Sequence, residues 1–218
     1  MSYAVKEIFL TLQGEGMHAG RRAVFCRFAG CNLWTGREVD RVTAICQFCD
    51  TDFVGMNGQN GGRYGDAEAL AERVAALWGT GIDRRLVVLT GGEPMLQVDE
   101  ALITALHAQS FEIAIESNGT LPVPRSIDWI CISPKAGSAV VHTSGDELKL
   151  IWPQSGSDWA DMEGWDFSHH LIQPLDVVGD VAGNDAARAA NLAAAINFVR
   201  DHPRWKLSLQ THKLLGLP

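Results

Sequence analysis

The sequence predicts an α/β fold: an open, partial barrel of about six parallel strands with helices outside it. Three observations carry this reading. Short runs rich in Val and Ile alternate with helical stretches, the pattern of a parallel sheet covered by crossover helices. Several of those runs are apolar almost without interruption, as strands covered on both faces are. The length, 218 residues, falls short of the roughly 250 that a closed eight-stranded barrel takes.

Taken in order, the strands are expected at residues 23–28, 86–89, 113–116, 129–133, 147–152 and 170–173. Helices are expected at 66–77, 98–109 and the alanine-rich 185–200, with Asp66, Asp99 and Asp185 as N-caps. The connections 118–128 and 134–146 are too rich in Pro, Gly and Ser for full helices, which argues against closure. Residues 55–65 and 177–184 read as surface loops, and no linker divides the chain, so 1–218 is one domain.

Composition excludes several classes. With 46% hydrophobic and 20% charged residues the chain can fold a core. A net charge of −8 argues against coating nucleic acid. No apolar run approaches the roughly 20 residues that span a bilayer, and Lys6 and Glu7 interrupt the start. The expectation is a cytoplasmic protein without nucleic-acid or membrane partners.

Five cysteines are an odd number for a disulfide scaffold. Cys26 and Cys131 lie inside predicted strands and read as core residues. Cys31, Cys46 and Cys49 form a C-x14-C-x2-C pattern directly after the first predicted strand. As bare thiols these three leave alternatives open. They hold three irons of a 4Fe–4S cluster, or zinc with a fourth ligand such as His18, or nothing. A second feature favours the cluster: Val87-Val88-Leu89 runs into Thr90-Gly91-Gly92-Glu93-Pro94. This places two glycines at the C-terminal edge of a strand, where ligands of parallel α/β proteins sit and where backbone must approach them closely.

Together these residues resemble the radical S-adenosylmethionine (SAM) superfamily, whose members place three cysteines after the first barrel strand and a GGEP-like motif after the second. The usual C-x3-C-x2-C spacing is expanded here. That expansion, with Phe9-Leu10-Thr11-Leu12-Gln13-Gly14-Glu15-Gly16, Cys49-Asp50-Thr51 and the closing Gln210-Thr211-His212-Lys213, resembles the 7-carboxy-7-deazaguanine synthase family. The likeness is weakest over 177–190, where the chain carries extra residues.

The resemblance implies a radical SAM lyase that turns 6-carboxy-5,6,7,8-tetrahydropterin into 7-carboxy-7-deazaguanine with loss of ammonia, on the way to queuosine-type nucleosides. The implied cofactors are a 4Fe–4S cluster on Cys31, Cys46 and Cys49, SAM, and Mg²⁺ at Thr51. The hard chemistry belongs to the cofactors, so no side chain is assigned a catalytic proton transfer. Phe48, Cys49, Asp50, Gly92, Ser133, Pro134, Lys135, Gln173, Pro174, Leu175 and Asp176 are implied to line the SAM site, with Glu116 or Ser117 at its ribose. Leu12, Gln13, Gly14 and Thr90 would read the pterin edge, and Arg27 its carboxylate. A terminal carboxylate at Pro218 would reach the substrate, with residues 205–218 as a tail closing the site. A homodimer and a flavodoxin-like electron donor are implied as well.

The remaining residues read as structural. Trp78, Trp129 and Trp205 fill core and interface, Trp34 shields the cluster, His169 and His170 sit at the rim, and residues 202–205 leave a helix. Two other readings stay open at this point: a radical SAM activase that abstracts hydrogen from a partner protein's glycine, and a zinc-stabilised binding module without activity.

Overall fold

The structure, a computed structural model, describes residues 1–177 and 184–218. In chain order the elements are β1 (Tyr3–Leu12), β2 (Arg22–Phe28), β3 (Gly62–Tyr64), α1 (Ala67–Trp78), β4 (Leu86–Gly91), α2 (Glu100–Ala108), β5 (Glu112–Ser117) and β6 (Trp129–Ile132). These are followed by β7 (Ser144–Trp152), α3 (Trp159–Met162), β8 (Asp166–Pro174), α4 (Asn184–Asp201), β9 (Trp205–Leu207) and α5 (Thr211–Leu215). One sheet runs in the order β3-β1-β2-β4-β5-β6-β7-β8-β9. All neighbours from β2 to β9 are parallel, whereas β1 lies antiparallel between β2 and β3. The sheet ends at β3 and β9 without closing on itself. No described helix is long and apolar enough to cross a membrane.

All six predicted strands are present, and three more extend the sheet. Residues 62–64 were expected within a surface loop but form β3, because Tyr64, Arg63 and Gly62 pair with Tyr3, Ala4 and Val5. β9 begins at Trp205, just past the helix exit at Asp201. Part of the expected loop 177–184, and of the extra segment 177–190, lies outside the described residues; Asn184 onward is helix.

The two faces of the sheet do different work. The outer face carries Val24, Cys26, Phe28, Val87, Leu89, Ile113 and Ile115, packed against Leu70, Val74, Leu102 and Leu106 of α1 and α2. Each such side chain, fully buried, stabilises the fold by roughly 1.5–3 kcal/mol. The helices start as expected at two caps: Asp66 accepts from the Ala69 N–H at 2.9 Å and Asp99 from the Leu102 N–H at 3.0 Å. Asp185 is not a cap, since α4 already includes it; its carboxylate sits in the first turn, where it faces the positive end of the helix dipole.

The inner face is most apolar at its lower end, where Ala23, Leu86, Val88 and Ala114 meet Phe25 and Trp129. Strand pleating then brings Arg27, Thr90, Glu116, Lys149 and Gln173 to the same face nearer the C-terminal strand ends. His170 departs from expectation. It is buried rather than at the rim, edge-on to Trp205 at 5.2 Å, because its position in β8 points it under the aromatic pair of Phe198 on α4 and Trp205 at the start of β9. His169, one residue earlier, faces the inside and stacks on Trp129 at 6.0 Å.

Candidate active site

A cavity of about 260 Å³ opens at the C-terminal ends of the parallel strands. Cys31, Cys46 and Cys49 all line it. No three His, Cys, Asp or Glu side chains among the described residues gather closely enough to hold one metal ion. Three soft thiol ligands lining one cavity are a donor set that suits an iron–sulfur cluster. His18, the fourth zinc ligand considered above, stacks on Trp129 at 4.3 Å and lies 3.1 Å from Arg21. Arg21 in turn pairs with Glu112 at the start of β5, so His18 is at the opposite end of the strands from the cysteine loop.

Of the three thiols Cys49 alone is shifted toward its thiolate, whereas burial pushes Cys31 up. The Cys46 thiol donates to Cys49, which lowers the Cys49 pKa to about 6 and raises that of Cys46. Lys135 is close enough to both for its charge to favour their thiolates. Burial pushes its ammonium pKa down, while its Nζ donates to the Ser133 carbonyl at 2.6 Å and to Ser133 Oγ at 2.7 Å. Gly92 also fits the site, since a Cβ there would collide with the Gly30 carbonyl oxygen beside Cys31. Gly91 has φ +138° and runs against the Phe28 backbone, so only glycine is unstrained. The residues present therefore fit a cubane cluster.

Glu93, the acid of the GGEP turn, does not line the cavity and is fully buried. It accepts from the Met95 N–H at 2.9 Å, from Ser117 Oγ at 2.9 Å and from the Asn118 N–H at 2.8 Å. It thereby ties the end of β4 to the end of β5 and sets Ser117 at the cavity wall, although burial pushes its pKa up.

Of the residues expected around SAM, Phe48, Cys49, Asp50, Gly92, Ser133, Lys135, Gln173, Pro174, Leu175 and Asp176 line the cavity. Pro134 is buried just behind, its carbonyl accepting from Gln154 Nε2 at 3.4 Å. Glu116, Ser117, Thr51, Thr90 and Arg27 line it too. Arg27 donates Nε to Glu7 at 2.8 Å.

Four expected residues stand elsewhere. Leu12, Gln13 and Gly14 are not part of the lining. The Gln13 N–H and C=O bond to Arg21 and Gly20, both at 2.8 Å, and the Gly14 carbonyl accepts from the Thr211 N–H at 2.9 Å. The Gln13 side chain instead donates to Glu116 Oε1 at 3.0 Å and accepts from the Glu15 N–H at 3.1 Å. Pro218 lies outside the lining, its carbonyl 3.4 Å from Thr11 Oγ1.

One feature of the cavity was not read from the sequence, and the contacts of the expected tail add a second. The first is Lys149, only 4% exposed, which pairs with Glu15 and stands 3.5 Å from Glu116. Burial pushes the Glu15 carboxyl up, but Lys149 overrides it and holds the pKa at about 2. The alternation Glu147-Leu148-Lys149-Leu150 was the available signal, placing two charged residues on one strand face. The second is the tail. Gln210 donates to Glu15 at 2.9 Å, and Lys213 donates to both Asp50 and Asp176 at 2.6 Å. Gly16 N–H donates to Ser208 Oγ at 3.0 Å, so the loop after β1 and the C-terminal segment meet across the open seam of the barrel.

The comparisons with known proteins agree with this arrangement. The profile described as Radical SAM superfamily matches residues 43–147, which takes in Cys46, Cys49 and the GGEP turn. The match starts inside the expanded spacing after Cys31. Over 218 residues, and over all of both chains, the protein is 57% identical to "7-carboxy-7-deazaguanine synthase" of Burkholderia multivorans. It is 56% identical, again over all of both chains, to the protein of that name from Bordetella pertussis. The chain belongs to the 7-carboxy-7-deazaguanine synthase family. A solved structure, "Crystal structure of QueE from Escherichia coli", shares the fold with a TM-score of 0.68 at 22% identity, covering 96% of this chain and 94% of that one. Membership in the 7-carboxy-7-deazaguanine synthase family makes this a radical SAM enzyme and leaves the activase and zinc-module readings without support.

Proposed function

We propose that the protein converts 6-carboxy-5,6,7,8-tetrahydropterin into 7-carboxy-7-deazaguanine and ammonia. In this reading SAM binds at a 4Fe–4S cluster on Cys31, Cys46 and Cys49, and Mg²⁺ binds at Thr51. One observation carries it: three thiols, the two glycines of the GGEP turn and the polar ends of five strands line a single cavity, in a chain more than half identical, end to end, to proteins named for that product. When bound, the cluster and SAM supply one-electron chemistry that removes a hydrogen atom from the substrate.

The chain's own residues bind, orient and exclude water. Ser133, Lys135, Gln173 and Asp176 offer alternating donors and acceptors to the zwitterionic SAM, with Phe48, Asp50, Gly92, Pro134, Pro174 and Leu175 completing its walls. Glu116 or Ser117 holds the ribose. Arg27 presents a guanidinium for the substrate carboxylate, and Thr90 a hydroxyl for the pterin. Gln13 and Gly14 hold Glu15, Glu116 and the tail in place, and the backbone of Leu12 to Gly14 is offered to the pterin edge. Thr51 gives Mg²⁺ one hard oxygen, in keeping with an ion that retains waters and takes few protein ligands. The tail, residues 205–218, closes the site. By resemblance we extend the reading to a cytoplasmic homodimer reduced by a flavodoxin-like donor.

The decisive test is anaerobic incubation with the carboxytetrahydropterin, SAM, reductant and Mg²⁺, with the product detected by mass. Product that depends on SAM is expected; full cluster content and SAM cleavage without deazaguanine would overturn the assignment. Thr51→Ala is expected to raise the Mg²⁺ concentration for half-maximal rate about tenfold, roughly 1.4 kcal/mol of binding, while SAM affinity stays as it was. An unchanged Mg²⁺ dependence would remove Thr51 from the metal site. Appending residues after Pro218 is expected to weaken turnover more than SAM binding, and equal turnover by extended and native-ended protein would remove Pro218 from the substrate site.

A further inference from the structure

The fourteen residues between Cys31 and Cys46 include a short 3-10 helix, Glu38–Thr43, none of whose residues is buried. Val39 and Val42 are 70% and 77% exposed, so core packing does not hold this segment. What holds it is Arg41. Its guanidinium lies over the Trp34 ring, 4.0 Å from the centroid. One edge grips the Glu38 carboxylate with Nε at 2.8 Å and Nη2 at 2.7 Å. The remaining nitrogen, Nη1, donates to the Gln47 carbonyl at 3.0 Å and the Cys49 carbonyl at 3.1 Å. Trp34 is itself fixed, by its Nε1 on the Arg37 carbonyl at 3.2 Å and by an edge-on contact with Phe53 at 5.6 Å.

Two carbonyls flanking Phe48 are thus held by one planar cation, and that cation is braced from behind by a buried indole. We propose that Arg41 is a positioning residue that shapes the Cys46–Cys49 turn before the cluster enters, so that both thiols face the cavity in the metal-free protein. The expanded spacing then has a purpose: it supplies its own brace for a turn that a shorter loop would hold by its connectivity. Only a planar fork meets all these partners. A lysine keeps the charge but cannot stack flat on Trp34 while reaching a carboxylate and two carbonyls.

This inference rests on the cysteine loop holding a cluster, and its test separates it from the proposed reaction by starting with metal-free, full-length protein. Hydrogen–deuterium exchange is compared for native protein, Arg41→Met and Arg41→Lys. In Arg41→Met the amides of residues 47–51 are expected to exchange at least tenfold faster, with residues 86–93 unchanged and the melting temperature held. On adding iron and sulfide, growth of cluster absorbance is expected to slow severalfold in Arg41→Met, and Arg41→Lys is expected to recover little of either property. Native exchange in Arg41→Met, native assembly rate despite fast exchange, or full recovery by Arg41→Lys would each overturn the proposal. Failure to form deazaguanine in any of the three proteins would count against the reaction and leave these readouts intact.

Discussion

Cys46→Ala, purified without oxygen, is expected to lose most of its cluster iron and to make no measurable product. The drop is at least about 10³-fold, which corresponds to some 4 kcal/mol of lost transition-state stabilisation. Cys46 is the thiol that donates to Cys49, so its removal takes away one corner ligand and the interaction that lowers the pKa of a second. The fold should survive, because Cys46 lies in a loop outside both core clusters and loses only one buried sulfur. The check is a joint measurement of iron, sulfide, cluster absorbance and product. Full iron content with native turnover in Cys46→Ala would refute the assignment of the three thiols. Full iron without turnover would show that the cluster is held elsewhere.

The second large effect concerns the charged group on the inner face. Lys149→Met removes the cation that Glu15 and Glu116 share, and breaking a buried pair by deleting one partner costs about 3–5 kcal/mol. That is a large part of the roughly 5–15 kcal/mol that holds a domain together. The sign with pH follows from the two carboxyl environments. In the native protein the Glu15 pKa is lowered from 4.5 to about 2. Its stabilising share is therefore complete above pH 4.5 and is lost only as pH falls through about 2. In Lys149→Met burial, the largest influence on Glu15, is opposed only by the Gln210 hydrogen bond and the His212 charge, and pushes its pKa above the unfolded value. The variant should then be weakest at neutral pH and gain stability as pH falls toward 5, while this site makes the native protein nearly indifferent over the same range. Thermal melts at pH 5 and 7 decide it. A variant whose melting temperature falls on acidification, in parallel with native protein, would show that the three groups are not coupled as described.

Much of the fold was legible because it depends on outward-facing residues. The runs at 86–89 and 113–116 announce buried strands, and Asp66 and Asp99 announce the helices that cover them. The strands that escaped notice have weak local signals. β1 mixes Lys6 and Glu7 into its apolar pattern, while β3 and β9 have three residues each and exist only through their partners. His170 was misplaced for a related reason: its burial is decided by Trp205, which is 35 residues away in sequence and adjacent in space.

The site divides in the same way. Cys31, Cys46, Cys49 and the GGEP turn were legible because each motif is contiguous and its chemistry requires those residue types. Gln173 to Asp176 and Ser133 to Lys135 were legible only through family resemblance, although their places at strand ends were expected of any barrel-mouth ligand. Lys149 and Glu93 were not assigned a role. Lys149 meets its carboxylates through β7 and the loop after β1, a pairing that no local pattern encodes. Glu93 was visible within its motif, but its work as a brace depends on the backbone of Asn118, supplied by the next strand.

Because helix packing uses one side of every strand and the cavity uses the other, substitutions at alternate positions have separable costs. A change at Thr90 or Gln173 alters what the cavity accepts without touching Leu89 or Ile172, whose partners are helices. Mutational drift in ligand preference can thus proceed one rung at a time along each strand, and a library confined to those inward rungs should return mostly folded variants.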